Sequence, residues 1–347
     1  MGKIESRFEC GAVNGESFVG NNFDDLHQGN YDFALLSSSW DRRSACVARA
    51  KHLSFDSVAV LFPEHRDAEG LRDAHDLELS NFVSKNAKNA LSISANTGDL
   101  RDAWSQIQNA LFAALDVSKR RHPAKIFLDL SSCPRYLSLG LVRLCINSGL
   151  VSDLDIAYAE GAYPLAPTSY MDMDEISFRE GEQQAIAVPG YLGDFEPWRK
   201  KFYLVSIGFD GWKTLRLVIT KEPDRLMLLE PIPAVDPSYE GRTKAANQAL
   251  VDRFGLVEEE RISARAGDAI AAWSAISTKS LENPDQHNIF YLCSGNKPHS
   301  LALALRAISQ SAATLLYNRP TRHAPVDVKP NGVFWKYSIK LAFGTVL

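Results

Sequence analysis

The peptide Ile93-Ser-Ala-Asn-Thr-Gly-Asp99, followed by Ala103-Trp-Ser105, returns later in the chain as Ile262-Ser-Ala-Arg-Ala-Gly-Asp268, followed by Ala272-Trp-Ser274. The two occurrences start 262 − 93 = 169 residues apart. Matches that keep one order and one spacing are the sign of an internal duplication. This stretch therefore predicts two copies of one folding unit.

Three further pairs extend the duplication. Asp41 and Asp210 each follow an apolar run and an aromatic residue, and they are again 210 − 41 = 169 apart. Pro134 and Pro298 each precede an apolar helical segment, at an offset of 298 − 134 = 164. The smaller offset indicates a short deletion in the second copy. The fourth pair matches Leu154–Tyr158 with Ala313–Tyr317.

Each copy is predicted to alternate strands with helices, because short apolar runs are separated by segments with helical periodicity. Runs without polar alternation are typical of parallel strands that are covered on both faces. The fold class is therefore α/β, with two tandem Rossmann-like parallel-sheet units related by duplication and pseudo-two-fold symmetry. The predicted strands are 33–36, 57–62, 90–94, 125–130 and 154–158 in copy one, and 202–207, 225–229, 260–264, 288–293 and 314–317 in copy two.

The domain prediction has four parts: an N-terminal extension (1–27), repeat 1 (28–170), a linker or insert (171–201) and repeat 2 (202–347). We expect Pro330 to Phe343 to form a terminal strand pair that closes copy two, with residues 181–191 as the counterpart in copy one. The linker begins with an acidic run, Asp172, Asp174 and Glu175, for which a solvated loop is favoured over a metal site.

Composition limits the function classes. The chain has 347 residues, 45% hydrophobic and 23% charged, with a net charge of −4. A protein that grips long nucleic acid usually has a basic excess, which is absent here. The five cysteines form no CxxC pair, the charged N-terminus has no apolar leader segment, and no run of about 18 apolar residues occurs. We expect a cytoplasmic protein with reduced thiols and no membrane segment.

Ligands of parallel α/β sheets bind outside the carboxyl ends of the strands, where helix N-termini attract anions. The duplication marks the same loops twice, and their small, basic and aromatic side chains suit a nucleotide. Small residues would let backbone amides approach phosphate, and exposed rings would stack on a base. The candidate ligand-binding residues are Ser38, Ser39, Trp40, Arg42, Arg43, Ser131, Ser132 and Arg135 in copy one, and Gly208, Phe209, Asp210, Trp212, Lys213, Ser294, Gly295, Asn296, Lys297 and His299 in copy two.

Structural roles compete with these functional ones. Asp41 and Asp210 are the candidate catalytic carboxylates, but helix capping is favoured over catalysis for both. Cys133 precedes a helix, where a thiol can become nucleophilic, yet its counterpart in copy two is Lys297. The histidines show no metal-ligand spacing, and neither a P-loop nor a dinucleotide glycine motif occurs. We therefore expect no metal and no cofactor.

Two Rossmann-like copies with Ser294-Gly-Asn-Lys-Pro298 after a strand resemble the CARF family, the sensor domains of CRISPR ancillary proteins. They are also similar to SAVED domains, the tandem CARF-like units of bacterial antiphage systems. In those families such a loop opens a helix and contacts a cyclic oligonucleotide, and the resemblance implies that role for Gly295, Asn296 and Lys297. Copy one departs from the pattern, because it has serines and Cys133 where the motif has glycine and lysine.

Three functions follow as hypotheses. The first is an antiviral nucleotide-sensing module that binds a nucleotide, such as a cyclic oligonucleotide, between its repeats and signals to an effector protein or by self-assembly. The second is a hydrolase of a nucleotide or nucleoside that uses Asp41 or Asp210 at the same loops. The third is a non-catalytic scaffold in a larger complex. The sequence leaves the ligand, the oligomeric state and the partner open.

Overall fold

The computed structural model describes residues 3–11, 13–64, 71–96, 98–116, 122–163, 179–279, 282–323 and 328–342. The chain folds into two compact units. The first comprises Met1–Pro164 and Pro325–Leu347, and the second comprises Leu165–Ala324. The acidic run at 172–175 lies outside the described residues.

The elements of the first unit are β1 (Lys3–Cys10), β2 (Val13–Gly20), α1 (Phe23–Leu26), β3 (Gly29–Ser37), β4 (Leu53–Pro63), α2 (Leu71–Asn86), β5 (Ala87–Ala95), α3 (Arg101–Ala114), β6 (Ala124–Asp129), α4 (Arg135–Asn147), β7 (Val151–Ala162) and, from the end of the chain, β14 (Lys329–Leu341). Two 3-10 turns, Arg42–Ala45 and Val47–Arg49, connect β3 to β4.

The elements of the second unit are β8 (Arg179–Ala187), β9 (Lys200–Ser206), α5 (Gly211–Lys221), β10 (Arg225–Pro231), α6 (Pro237–Phe254), β11 (Arg261–Ala264), α7 (Ala269–Thr278), β12 (His287–Cys293), α8 (Lys297–Ser309) and β13 (Ala313–His323). A 3-10 turn, Glu258–Glu260, precedes β11.

Both units contain a parallel sheet with the same strand order. The first sheet runs β1-β2-β14-β7-β6-β3-β4-β5, and the second runs β11-β10-β9-β12-β13-β8. Numbered within its own copy, each parallel core has the order 3-2-1-4-5. These cores confirm the α/β class and the two Rossmann-like units. All ten predicted strands are present, and the apolar run at Phe33–Leu36 is completely buried, as a strand covered on both faces requires.

The strands that close the two sheets are exchanged between the copies, which corrects the expectation from the sequence. β14, which was expected to close copy two, pairs antiparallel with β7 and β2 in the first sheet. β8, expected to close copy one, pairs antiparallel with β13 in the second sheet. The amphipathic pattern of a strand fixes which face it buries but leaves open which sheet edge it joins.

Side chains of β14 explain its place in the first sheet. Trp335 and Tyr337 are fully buried, and their rings stack 6.3 Å apart. The Trp335 indole donates a hydrogen bond of 2.6 Å to Oε1 of the buried Glu160 on β7, and the Asn331 amide donates to Oε2 of the same carboxylate. A buried carboxylate must be hydrogen-bonded to be tolerated, so this pair fixes the register of β14 on β7.

The apolar periodicity of the sequence predicts helices at 99–115 and 268–277, with Asp99 and Asp268 as their N-caps. Both helices are present, as α3 and α7, and the cap at Asp268 is confirmed. Asp268 accepts hydrogen bonds from the amides of Ile270 and Ala271, as an N-cap residue does. Its counterpart Asp99 lies one residue further out, and its Oδ1 accepts from the Arg101 amide at 3.1 Å. Among the described residues, no helix is long and apolar enough to cross a membrane.

The core of the first unit contains a histidine in a nearly apolar setting. His27 follows α1 and is fully buried, with its ring 4.4 Å from that of Phe23 and 5.8 Å from that of Phe127. The ring nitrogens make no hydrogen bond of ordinary geometry among the described residues, although the Trp335 backbone lies near them. Burial, assisted by the positive charge of Lys336, lowers the pKa of His27 to about 3. The native first unit therefore holds this imidazole neutral.

We predict that His27 makes the protein less stable in acid. The unfolded chain takes up a proton near pH 6.5 and the native state only near pH 3, so stability is lost as pH falls from 6.5 towards 3. The loss is about 1.4 kcal/mol for each pH unit, or about 2 kcal/mol between pH 6.5 and pH 5. The change His27→Phe removes this part of the slope, as measured by urea unfolding at several pH values. The exposed-site variant His52→Gln is the control and keeps the wild-type slope. Equal slopes in His27→Phe and the wild type would contradict the assignment.

Candidate functional site

The strand order places one topological switch point in each unit. In the second unit the chain leaves β9 towards β10 on one side and leaves β12 towards β13 on the other. The loops after these two neighbouring strands therefore diverge, and the first unit has the same arrangement after β3 and β6. Such a topological switch point is where open α/β sheets bind ligands. The four loops singled out from the sequence are the four loops at these points.

In the second unit, the loop after β9 is held by close backbone packing. The Asn247 side chain on α6 donates to the Gly208 carbonyl at 2.8 Å. A Cβ on Gly211 would overlap the Ala246 carbonyl oxygen, so α5 can start here only with glycine. Phe209 packs edge-on against Tyr239, and the Arg242 guanidinium lies 4.6 Å from its ring centroid. Phe209 thus has structural partners.

The loop after β12 is pressed against the end of β9. The Ser294 and Gly295 amides donate to Ser206 Oγ at 3.2 and 3.1 Å. A Cβ on Gly295 would overlap the Ile207 carbonyl oxygen. A Cβ on Gly208 would lie 3.3 Å from the Gly295 Cα. This packing brings the first turns of α5 and α8 to the same edge of the sheet.

The backbone amides predicted to meet an anion are used inside the protein. Besides the Ser294 and Gly295 amides, the Ser131 amide in the first unit donates to Asp129 Oδ1 at 2.9 Å. The expectation that the amides of Ser131, Ser294 and Gly295 are available to a phosphate is therefore wrong. An anion at these loops would be met by side chains, of which Lys213 and Lys297 remain partly exposed.

A chain of hydrogen bonds links the loops of the second unit. The Asn318 amide on β13 donates to Ser294 Oγ at 3.1 Å, and Ser294 Oγ lies 2.6 Å from Thr214 Oγ1 on α5. Thr214 in turn donates to the Asp210 carbonyl at 3.0 Å. Asn318 is fully buried, and its Oδ1 has no hydrogen-bond partner among the described residues. We call Asn318, Ser294, Thr214 and Asp210 the polar relay.

Sequence reasoning missed Asn318 and Thr214. Asn318 lies in the middle of β13, one residue after the repeat segment Ala313–Tyr317, and that position was the available signal. No sequence signal marked Thr214, because a threonine in the first turn of a helix is common.

Two of the predicted ligand residues have structural tasks. Asn296 is the N-cap of α8: its Oδ1 accepts from the His299 amide at 2.7 Å, and its side-chain amide donates to the Ala266 carbonyl. His299 is fully buried and its Nε2 lies 3.2 Å from the Arg265 carbonyl. Burial lowers the pKa of His299 to about 4, so the ring is neutral at pH 7. Both residues tie α8 to the segment after β11.

In the first unit, the loop after β3 is largely internal. The Ser38 hydroxyl is hydrogen-bonded to Asp76 on α2, and the Ser39 carbonyl lies 2.9 Å from His75 Nδ1 on the same helix. Both serines are buried, whereas Trp40 is half-buried and Arg42 is exposed. The start of α2 thus covers the serines and leaves Trp40 and Arg42 as the accessible side chains.

Asp41 and Arg43 form a nearly buried ion pair. Arg43 Nε is 3.0 Å from both carboxylate oxygens of Asp41, and both side chains are nearly buried. Asp41 also accepts from the Arg43 amide and so caps the first 3-10 turn. Burial alone would lower the pKa of Arg43, but the Asp41 charge raises it well above its usual value. The cap that was favoured for Asp41 is confirmed.

The loop after β6 in the first unit is ordered around a buried serine. Ser131 Oγ accepts from the Ala159 amide at 2.9 Å, and Cys133 is fully buried. Ser132 and Arg135 are half-buried, and Arg135 is the first residue of α4. Ser132 Oγ has no hydrogen-bond partner within the described segments.

Asp210 occupies the N-cap position of α5, but its side chain makes no capping hydrogen bond, so the capping role favoured for it is not confirmed. Within the described part of the chain, no group of three or more His, Cys, Asp or Glu side chains is arranged to hold a metal ion.

Trp212 is half exposed, at 50% of its surface. The accessible members of the predicted site are Trp40, Arg42, Ser132 and Arg135 in the first unit, and Gly208, Phe209, Asp210, Trp212, Lys213, Asn296 and Lys297 in the second.

The fold and these loops define a two-unit α/β protein with a topological switch point in each unit. No protein-family model matches the chain, and no curated protein matches it. Among solved structures, the cytoplasmic domain of a prokaryotic cation chloride cotransporter aligns with 86% of this chain and 99% of its own, at 12% identity and a TM-score of 0.23. A functionally unknown protein from Pseudomonas aeruginosa PAO1 aligns with 84% of this chain and 93% of its own, at 9% identity and a TM-score of 0.24.

We predict opposite effects for one substitution at two glycines. Gly295→Ala forces the loop after β12 away from Ile207 and destabilises the second unit by about 1–3 kcal/mol. Gly241→Ala, inside α6 with no atom within 4 Å of the new Cβ, stabilises it by up to about 1 kcal/mol. Thermal unfolding of both variants measures the difference. If Gly295→Ala were as stable as the wild type, the close packing of the two loops would be refuted.

Proposed function

We propose that this chain is a nucleotide-sensing protein whose ligand, such as a cyclic oligonucleotide, binds at the switch-point loops. The observation that carries the proposal is that α5 and α8 of the second unit begin just after the carboxyl ends of two neighbouring strands, β9 and β12. The first turns of these helices carry Trp212, Lys213 and Lys297, all at least partly exposed. The resemblance to CARF and SAVED domains, and hence a role in antiviral defence, belongs to the same proposal.

The chemistry of these side chains suits a nucleotide. Two lysines at helix N-termini add full positive charges to the partial charge of the helix dipoles, which favours phosphate. An exposed indole next to them offers a stacking surface for a base, and stacking of this kind contributes about 1–3 kcal/mol per base. In the first unit, Arg42 and Arg135 supply charge and Trp40 supplies the ring.

The polar relay connects the candidate ligand site to β13, so that a movement of the loops on ligand binding can reach this strand. A ligand that draws Lys213 or Lys297 towards it moves the first turn of α5 or α8. Thr214 lies in that turn of α5, and Ser294 lies in the loop just before α8. The relay ends at Asn318 on β13, which pairs with β8. Buried hydrogen-bonded networks have few alternative arrangements, so a small shift at the loops is passed to the strand edge. An effector protein that reads this shift remains the expected partner.

The hydrolase hypothesis loses its first candidate base in this geometry, because both Asp41 oxygens are engaged by Arg43. Asp210 remains, at the accessible end of the relay. The same assay that detects binding also detects turnover, as new products after incubation with the nucleotide.

The test is a thermal-shift screen of the full chain against mononucleotides, NAD and cyclic di-, tri- and tetranucleotides, followed by calorimetry on any hit. A ligand at 100 times its dissociation constant stabilises the native state by about 2.7 kcal/mol, which gives a clear shift. We expect Lys297→Ala to weaken binding about ten-fold or more, because a charge-assisted hydrogen bond contributes about 1.5–3 kcal/mol. The double variant Lys297→Ala/Arg135→Ala should abolish it.

The matched control is Lys85→Ala, an exposed lysine at the other end of α2 from the loops, which should leave affinity unchanged. Full affinity in the double variant would remove these loops as the binding site. The absence of any shift across the panel would favour the scaffold hypothesis instead.

A further inference from the structure

The loop between β8 and β9, residues 188–199, exposes an unusual amount of apolar surface. Leu192 and Trp198 are each 77% exposed, and Phe195 is 60% exposed. These three lie within seven positions, and Leu192 and Trp198 are the most exposed large hydrophobic side chains among the described residues. Contiguous exposed apolar side chains mark interaction sites, whereas isolated ones are ordinary.

This β8–β9 loop is fixed at its first half by the start of β13. The Leu315 amide donates to the Tyr191 carbonyl at 3.0 Å, and the Gly193 amide donates to Thr314 Oγ1 at 3.0 Å. A Cβ on Gly193 would overlap the Ala312 carbonyl oxygen, so the loop lies directly on this strand. Tyr191 is buried, and it anchors the backbone beneath Leu192.

The second half of the loop is fixed by one buried side chain at the start of β12. The Asn288 amide donates to the Glu196 carbonyl at 2.7 Å and to the Arg199 carbonyl at 3.1 Å, while its Oδ1 accepts from the Glu196 amide at 2.8 Å. A loop held in this way keeps Phe195 and Trp198 turned outward without a large loss of conformational entropy on binding.

The loop lies at the amino ends of β9, β12 and β13, and the switch-point loops lie at their carboxyl ends. A protein seated on the β8–β9 loop therefore leaves the candidate ligand site of the second unit open.

The charges around the apolar side chains are self-complementary. Asp194 and Glu196 come first along the segment, and Arg199 and Lys200 follow. A strongly acidic or strongly basic partner gains little from two charges of each sign. When two such segments meet antiparallel about a two-fold axis, the acidic half of each faces the basic half of the other. A closed two-fold contact of this type is also the commonest symmetry of protein assemblies.

We propose that the β8–β9 loop is the docking surface for a second copy of this chain. Trp198, Phe195 and Leu192 form the apolar centre of a two-fold interface, and Asp194 pairs with Lys200 of the other copy across its rim. Exposed tryptophan on a rigid scaffold is the residue type that most often dominates binding energy at interfaces. The rim charges fix the antiparallel orientation.

The test is sedimentation velocity of the full chain from about 1 to about 100 µM, a range in which a self-association of moderate affinity shifts by mass action. The wild type is expected to form a dimer in this range. Trp198→Ala is expected to raise the dimer dissociation constant at least ten-fold, whereas Leu77→Ala, at a leucine on α2 that is 63% exposed, leaves it unchanged. Because both side chains are exposed, neither change threatens folding, which circular dichroism checks.

A charge swap tests the orientation. Asp194→Lys and Lys200→Asp each weaken the dimer, and the two changes together restore it, since each copy then presents the reversed pair. A chain that stays monomeric at every concentration would overturn the proposal and favour a different protein on this surface. A dimer that is insensitive to Trp198→Ala, or one that the double charge variant fails to restore, would overturn it equally.

Discussion

The close approach of Gly295 to the end of β9 is the contact on which the candidate site depends. Only a residue without a side chain lets the loop after β12 lie against Ile207, and Ser206 Oγ then binds the amides of Ser294 and Gly295. As a result α5 and α8 both begin at the carboxyl edge of the sheet, with Lys213 and Lys297 in their first turns. The same packing brings Thr214 within hydrogen-bonding distance of Ser294.

The exchange of the closing strands between the two copies constrains the order in which the sheets can form. The first sheet receives β14 from the last residues of the chain, and the second receives β8 from the segment after β7. The first sheet therefore cannot be completed until almost the whole chain is available. Pairings this distant in sequence are slow to form, because loop closure precedes the contacts that stabilise them. The buried Trp335–Glu160 bond is specific enough to select this pairing once it forms.

Local patterns were sufficient to predict the parallel core. Short apolar runs such as Phe202–Ile207 and the repeat spacing predicted ten strands and their alternation with helices, and the caps at Asp268 and Asp41 followed from residue type. Pairings that depend on distant segments were beyond the sequence. Nothing near Arg43 in the sequence shows that its guanidinium would lie over the ring of Tyr163, and the strand pattern of β14 is the same whichever sheet it joins.

For the same reason, the residues predicted for the site from the sequence are more numerous than those that the folded units leave accessible. It grouped every small, basic or aromatic residue of four loops, whereas the folded units bury Ser38, Ser131 and Ser294 and keep a smaller accessible set. The backbone amides of Ser294 and Ser131, which were expected to bind phosphate, instead donate hydrogen bonds to the side chains of Ser206 and Asp129. What remains accessible, above all Trp212, Lys213 and Lys297, is a combination of ring and charge that the first unit repeats with Trp40, Arg42 and Arg135.

The central claim, that a nucleotide binds at the switch-point loops, is tested most directly by hydrogen–deuterium exchange of the full chain. Exchange would be compared with and without the cyclic oligonucleotide that gives the largest thermal shift. If a nucleotide binds there, exchange becomes slower in the first turns of α5 and α8 and around Asn318 on β13, with little change at the amino end of β12. Protection confined to other segments, or no protection with any nucleotide of the panel, would contradict it.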